Sequence, residues 1–275
     1  MHTPLEDLAP EKYMKRFNTG NRDVDNYYAY LAAIDDGIGR IIDRLKQYQM
    51  DENTLIIFLS DNGGVVASPF PVNGEFKGFK GQLREGGTRV PMVMRWPGRL
   101  PAGHIYDRPV SAMDVLPTAL AAAGIHAPDS LALDGKSLLP YLTGSEKTAP
   151  HEYLFWAGPQ MLFWGAENRP FWKGAEDYLK ERIDILPETP YPQSGAGSPA
   201  CYSVRKGNWI YRFTAPDQVI LFDVTKDPNG EVNLASAHPE LAAELKEVGN
   251  KWLKTLAVPS KWDRELWNKL FSDQD

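Results

Sequence analysis

The residues best suited to chemistry are the run Ser60-Asp61-Asn62-Gly63-Gly64. A carboxylate beside an amide offers two hard oxygen donors from consecutive positions, a set that suits Ca²⁺ or Mg²⁺ rather than zinc. Gly63 and Gly64 let the backbone turn sharply away beside an ion. The same residue types also build an ordinary Asx-turn with no metal at all. Downstream, Phe79-Lys80-Gly81-Gln82-Leu83-Arg84-Glu85-Gly86-Gly87 presents the Lys80 ammonium in a glycine-flanked loop. A lysine is a compact point charge fit for an oxyanion such as sulfate or phosphate. Lys77 and Arg84 compete with it on composition, and a solvated surface lysine is the plain alternative. Two further candidates read as structural. Asp35-Asp36 falls on the wet face of an expected helix, and Cys201, the single cysteine, stands at the start of an expected strand as a small packing residue.

These residues need elements to position them. Leu31, Ile34, Ile38, Ile41, Ile42 and Leu45 recur at three- and four-residue intervals, which predicts a helix with one packing face and one wet face. The run 54–59 is apolar on both faces and β-branched, and predicts a buried strand of a mostly parallel sheet. Asp61 and Asn62 then lie at its carboxyl end, where α/β folds build ligand sites. A second strand is expected over 91–96, ended by Pro97-Gly98. A helix is expected over about 111–123, with Ser111 as N-cap and Gly124 as stop. This alternation predicts an α/β layer over 1–144. From there the texture changes. The stretch 157–200 is proline-rich and irregular, and strands are expected over 200–204, 209–213 and 219–224. Asp227-Pro228-Asn229-Gly230 is a turn signal, and a helix should follow from Pro239 to about residue 256. Residues 145–275 therefore read as a small antiparallel sheet with a helix packed on it.

Bulk properties exclude some classes. The 275 residues are 43% hydrophobic and 24% charged, with a formal charge of −6 and a pI near 5.5. That balance disfavours a nucleic-acid partner, which needs clustered positive charge. No apolar stretch is long enough to span a membrane. Met1-His2-Thr3-Pro4-Leu5 has neither a basic n-region nor an apolar h-region, so no signal peptide is expected in this chain.

The motifs taken together resemble the type I sulfatase (arylsulfatase) family of the alkaline-phosphatase-like superfamily, specifically its C-terminal portion. The resemblance runs from His2-Thr3-Pro4-Leu5 through Ser60-Asp61-Asn62-Gly63, Lys80-Gly81, Glu85-Gly86-Gly87-Thr88-Arg89-Val90-Pro91 and Trp96-Pro97-Gly98. It continues through Asp114-Val115-Leu116-Pro117-Thr118, Leu133-Asp134-Gly135-Lys136-Ser137-Leu138, Leu221-Phe222-Asp223, Asp227-Pro228 and His238-Pro239-Glu240. It implies an α/β fold: the C-terminal part of a sulfatase-type mixed sheet flanked by helices, plus the small antiparallel sheet with its helix. It implies that Asp61 and Asn62 ligate Ca²⁺. Lys80 would contact the sulfate oxygens and the leaving ester oxygen, and His2 would protonate the leaving group. The implied substrate is a sulfate-ester small molecule or a sulfated sugar, and the family leaves a periplasmic or secreted location open.

The departures are as informative. No Cys/Ser-x-Pro-x-Arg segment, the family's source of the formylglycine nucleophile, occurs in the chain, and no upstream aspartate pair completes the cation's ligands. Two protein donors are too few for an ion that takes six to eight oxygens. The resemblance therefore implies a chain with little activity alone, and an exposed strand edge that favours a homodimer or a second polypeptide supplying an N-terminal half. Two other functions stay open. One is a non-catalytic carbohydrate-binding domain using the aromatics Tyr153, Phe155, Trp156, Phe163, Trp164, Phe171 and Trp172. The other is a phosphoesterase or phosphonate hydrolase of the same superfamily, although its zinc-using members place His where Asn62 stands.

Overall fold

In the computed structural model, residues 9–64, 73–128, 130–158, 201–215 and 218–255 are described. The chain divides into two compact units. One comprises Met1–Asp61, Ala67–Gly74 and Val90–His151, and the other Asn62–Val66, Glu75–Arg89 and Glu152–Asp275. Together they make an α/β protein with a small antiparallel sheet.

The first unit is built on a short helix α1 (Glu11–Met14) and a long helix α2 (Arg22–Gln47). The Asn21 side chain caps α2 by accepting from the Asp23 and Val24 amides, which satisfies two of the donors a helix start leaves unpaired. Ala9, Tyr13 and Ala29 form a small core between them. Arg16 grips Asp36 through two hydrogen bonds of 3.2 and 2.7 Å, so the carboxylate read as wet-face ballast pins the approach to α2. Strand β1 (Ile56–Leu59) pairs antiparallel with β2 (Met92–Arg95), Ile56 opposite Arg95 and Leu59 opposite Met92. This corrects the expectation of a buried strand in a parallel setting. Among the described residues β2 is the partner of β1, and the cross-strand neighbours Phe58 and Val93 are 39% and 58% exposed.

The expected helix over 111–123 is a single turn of 3₁₀ (Ala112–Asp114) leading into α4 (Val115–Ala122); α3 (Glu85–Thr88) precedes it and α5 (Leu139–Leu142) follows. Ser111 caps it in a reciprocal box with Asp114, and Gly124 ends it at φ +69°, as the sequence predicts. Asp114 is fully buried. Its carboxylate accepts from the Ser111 and Lys136 amides, each at 2.8 Å, and meets His151 Nε2 at 2.8 Å. Thr118 Oγ1 accepts from the Leu138 amide at 2.9 Å. The motif 114–118 thus serves as a clamp on 135–138, and Gly135 has no room for a side chain, because a Cβ there would lie 2.0 Å from the Met113 carbonyl.

The second unit holds an antiparallel meander of β3 (Leu154–Gly158), β4 (Cys201–Lys206), β5 (Trp209–Ala215) and β6 (Gln218–Asp223) in that spatial order. Strand β3 is an addition, since the sequence offered only an aromatic-rich segment there; Phe163, Trp164, Phe171 and Trp172 lie outside the described residues. Alternation decides the two faces. Tyr202, Val204, Tyr211 and Leu221 pack with Leu245 of α6 (Pro239–Leu253), and Phe155 stacks on Trp252 at 4.8 Å. Ile210 and Phe222 occupy the opposite face with Val224, and Ser203 and Arg212 share that face's parity.

Helix α6 approaches the sheet at Gly249, where a Cβ would lie 2.6 Å from the Tyr202 ring and 2.8 Å from Val204. Gly249→Val is therefore expected to lower stability by about 2 kcal/mol, the scale of overpacking a filled interior, read from urea unfolding of the 275-residue chain.

Candidate active site

Strand β1 delivers the candidate cation ligands. Its ladder continues one residue further, the Ser60 amide donating to the Pro91 carbonyl at 3.3 Å, and Asp61 and Asn62 follow directly. Asp61 is exposed and Asn62 half-buried. The Asn62 amide nitrogen donates to the Gly63 carbonyl at 2.8 Å, and an amide oxygen is the donor type suited to a hard cation.

Within the second unit, the backbone after Asn62 is laced to the Lys80 loop. The Gly63 amide donates to the Gly87 carbonyl at 3.0 Å, and the Lys80 amide donates to the Gly64 carbonyl at 2.9 Å. The Gly86 amide donates to Lys77 at 2.9 Å and the Gly87 amide to Arg84 at 2.8 Å, closing the loop that carries the lysine. Three glycines make this possible. A Cβ on Gly63 would lie 1.7 Å from the Gly86 carbonyl oxygen, one on Gly86 2.4 Å from the Gly78 oxygen, and one on Gly87 2.3 Å from the Gln82 oxygen. Backbone crosses backbone here with no space for a side chain. Gly78 and Gly81 bracket Lys80, a half-buried residue, at φ +98° and +90°, turning the chain on each side of it.

Behind the loop sits a buried ionic cluster. Glu85 is 5% exposed, with Arg205 of β4 at 3.9 Å and Arg89 at 3.8 Å from its Oε2. Burial raises the Glu85 carboxyl above its ordinary range, against the opposing pull of Arg205, Arg89 and Arg212. Arg212 of β5 is 5% exposed, and burial brings its guanidinium down to about 10. Its Cζ lies 5.0 Å from the centroid of the Phe222 ring. Further along, Asn229 of the predicted turn accepts from the Lys77 amide at 2.6 Å and donates to the Glu75 carbonyl at 3.1 Å, while Lys77 pairs with Glu231.

Of the residues singled out in the sequence, Asn62 and Lys80 are thus brought onto interlocked loops. Asp61 adjoins Asn62, and His2 lies outside the described residues. Lys77, one of the two competing cations, pairs with Glu231. Among the described residues no group of three or more His, Cys, Asp or Glu side chains gathers to hold a metal. The donors at Asp61 and Asn62 fit a hard cation in type and adjacency, and fall short of it in number. Sequence reasoning missed the roles of Glu85, Arg205, Arg212 and the Asp114–His151 pair. The one available signal was Arg212, set between Tyr211 and Phe213 in an expected strand.

The family model described as Sulfatase matches residues 1–125. The uncharacterized sulfatase YdeN of Escherichia coli K12 is 38% identical over 271 residues, covering 98% of this chain and 48% of the relative. This is a sulfatase-family chain. Among solved structures, Ps i-CgsB in complex with k-i-k-neocarrahexaose superposes with a TM-score of 0.72 at 25% identity, over 99% of this chain and 53% of that one. The phosphonate monoester hydrolase of Agrobacterium radiobacter superposes at 0.53 with 30% identity, over 83% and 40%. The sulfatase-family chain thus spans about half the length of the relatives it matches. No helix among its described residues is long and apolar enough to cross a membrane.

The Gly63 crossing predicts a local failure. Gly63→Ala in this sulfatase-family chain is expected to free the Lys80 loop, seen as faster hydrogen exchange over 75–89 with β4–β6 unaffected, because a methyl group at 1.7 Å from a carbonyl oxygen must push the two loops apart.

Proposed function

We propose that this chain supplies the cation-binding and sulfate-binding part of a sulfuric ester hydrolase site. Asp61 and Asn62 provide oxygen ligands to Ca²⁺. The Lys80 ammonium contacts the sulfate oxygens and stabilises charge on the departing ester oxygen. His2 donates the proton that the departing alkoxide needs. A bound Ca²⁺ would supply Lewis-acid charge stabilisation at the sulfate oxygens. The observation that carries the reading is the lacing of the loops, with the backbone two residues after Asn62 bonded to the Lys80 amide. The similarity to a protein crystallised with a hexaose supports a sulfated sugar as the substrate class. The similarity to a phosphonate monoester hydrolase supports a second reading, ester cleavage at phosphorus on the same scaffold.

In this reading the nucleophile and the remaining cation ligands come from polypeptide outside these residues. The apolar surface of the first unit supports that. Besides the Phe58–Val93 pair, Leu31 and Ile41 of α2 are 45% and 60% exposed. Apolar surface on a strand pair and the helix expected to bury it is a surface built to be covered. A polypeptide of the length by which the relatives exceed this chain is the occupant we propose, with a second copy of this chain as the competing one.

Three measurements test the reading. Calcium titration should find weak binding, with a Kd of about 1 mM or higher as expected for an incomplete ligand set, and Asp61→Ala should abolish it; unchanged binding in Asp61→Ala would remove Asp61 from the site. The purified chain should not turn over a generic aryl sulfate. Steady turnover by homogeneous protein, lost in Lys80→Ala, would show that the chain carries a complete catalytic apparatus. Light scattering at micromolar concentration should show association, whereas a stable monomer would argue that the first unit needs no cover.

A further inference from the structure

We infer that Glu85 is a positioning residue for the site, through which the small antiparallel sheet holds the Asn62 and Lys80 loops in register; the inference rests on the reading of those loops as the catalytic region. Glu85 touches no candidate ligand itself. It opens the Glu85–Thr88 turn, whose Gly86 and Gly87 peptides are the pieces that Gly63 crosses and bonds. Its carboxylate points into the second unit, where Arg205 arrives from β4 and Arg212 from β5.

The charges explain why this arrangement is directional. Arg212 is buried, and its Nε is among the buried polar atoms with no hydrogen-bond partner. Glu85 Oε2 is another. Neither atom has a hydrogen-bond partner, so Glu85 depends on Arg205, Arg89 and Arg212 for charge compensation, and Arg212 on Glu85 and Asp227. A buried guanidinium on the sheet therefore favours the one loop conformation that brings a carboxylate beneath it. Three guanidiniums, of Arg89, Arg205 and Arg212, act on this single carboxylate. The loop cannot shift without leaving buried charge uncompensated, and the glycine crossing passes that constraint directly to Gly63 and, through Lys77, to the segment that carries Lys80. The meander and α6 thereby become the back wall of the site rather than an appended module.

The test is hydrogen–deuterium exchange on the 275-residue chain at neutral pH, with and without Ca²⁺. Glu85→Ala is expected to speed exchange over 62–64 and 77–88 by about tenfold, a local opening easier by about 1.4 kcal/mol. Exchange in β6 and α6 should stay as in the wild type, which a general loss of stability would not leave untouched. Strands β4 and β5, which carry Arg205 and Arg212, are the strands free to respond. Glu85→Asp, which restores a carboxylate on a shorter reach, should recover part of the protection. Should Glu85→Ala fail to fold, Arg205→Gln, at a side chain 17% exposed, is expected to loosen the same two segments. Unchanged exchange over 62–64 and 77–88 in the variants would overturn the inference, as would a uniform rise across the whole second unit. The calcium arm separates the two claims. Loosening by Glu85→Ala in a chain whose 61–64 segment ignores Ca²⁺ leaves the anchor standing and removes the cation reading, and Ca²⁺ protection that Glu85→Ala does not alter does the reverse.

Discussion

Everything proposed for the site depends on two strands of backbone crossing at Gly63 and Gly86 with no volume between them. A Cβ on the first would sit 1.7 Å from the carbonyl oxygen of the second, so the contact exists only because both residues lack one. The crossing holds the segment that follows the Asn62 oxygen against the segment that carries the Lys80 ammonium, using main-chain hydrogen bonds that side-chain mobility cannot loosen. Side chains proposed to act from loops need such support, because loops are the least constrained part of a fold. Here the support comes from steric exclusion on one side and from the buried Glu85 carboxylate on the other.

That carboxylate changes how the small sheet is understood. One face of the meander is ordinary core, with Tyr202, Val204, Tyr211 and Leu221 closed over by Leu245 of α6. The other face carries Arg205 and Arg212 inward, which a sheet tolerates only against a compensating charge. A parallel economy appears in the first unit, where the buried Asp114 carboxylate is satisfied by two amides and His151. Both acids occur inside motifs that carry the resemblance to the family, and both are bonded or paired to the protein around them.

The first unit carries the opposite feature, apolar surface exposed among the described residues. Phe58 and Val93 face each other across β1 and β2 and remain exposed, and the α2 stripe that periodicity assigns to packing is half open. The chain spans about half the length of the relatives it matches.

Much of this was legible in the residues alone. Periodicity announced α2, the 111–123 helix with its Ser111 cap, the three strands from 201 onward and the Asp227 turn, because those signals are local and the local physics decides them. Motif order singled out Asp61-Asn62 and Lys80 as candidates, but not the main-chain bond from the Lys80 amide to Gly64. What the sequence could not decide was anything set by atoms distant in the chain. An apolar run over 54–59 states that the strand wants cover, and only the tertiary structure shows β2 antiparallel beside it and Phe58 left open. Three glycines state conformational freedom, and only the fold shows that the freedom is spent on a crossing rather than a turn. Two arginines separated by a hairpin read as surface charge, since burying a guanidinium is costly. Glu85, more than a hundred residues away, is what makes that burial tolerable, and no local pattern encodes a compensation arriving from so far along the chain.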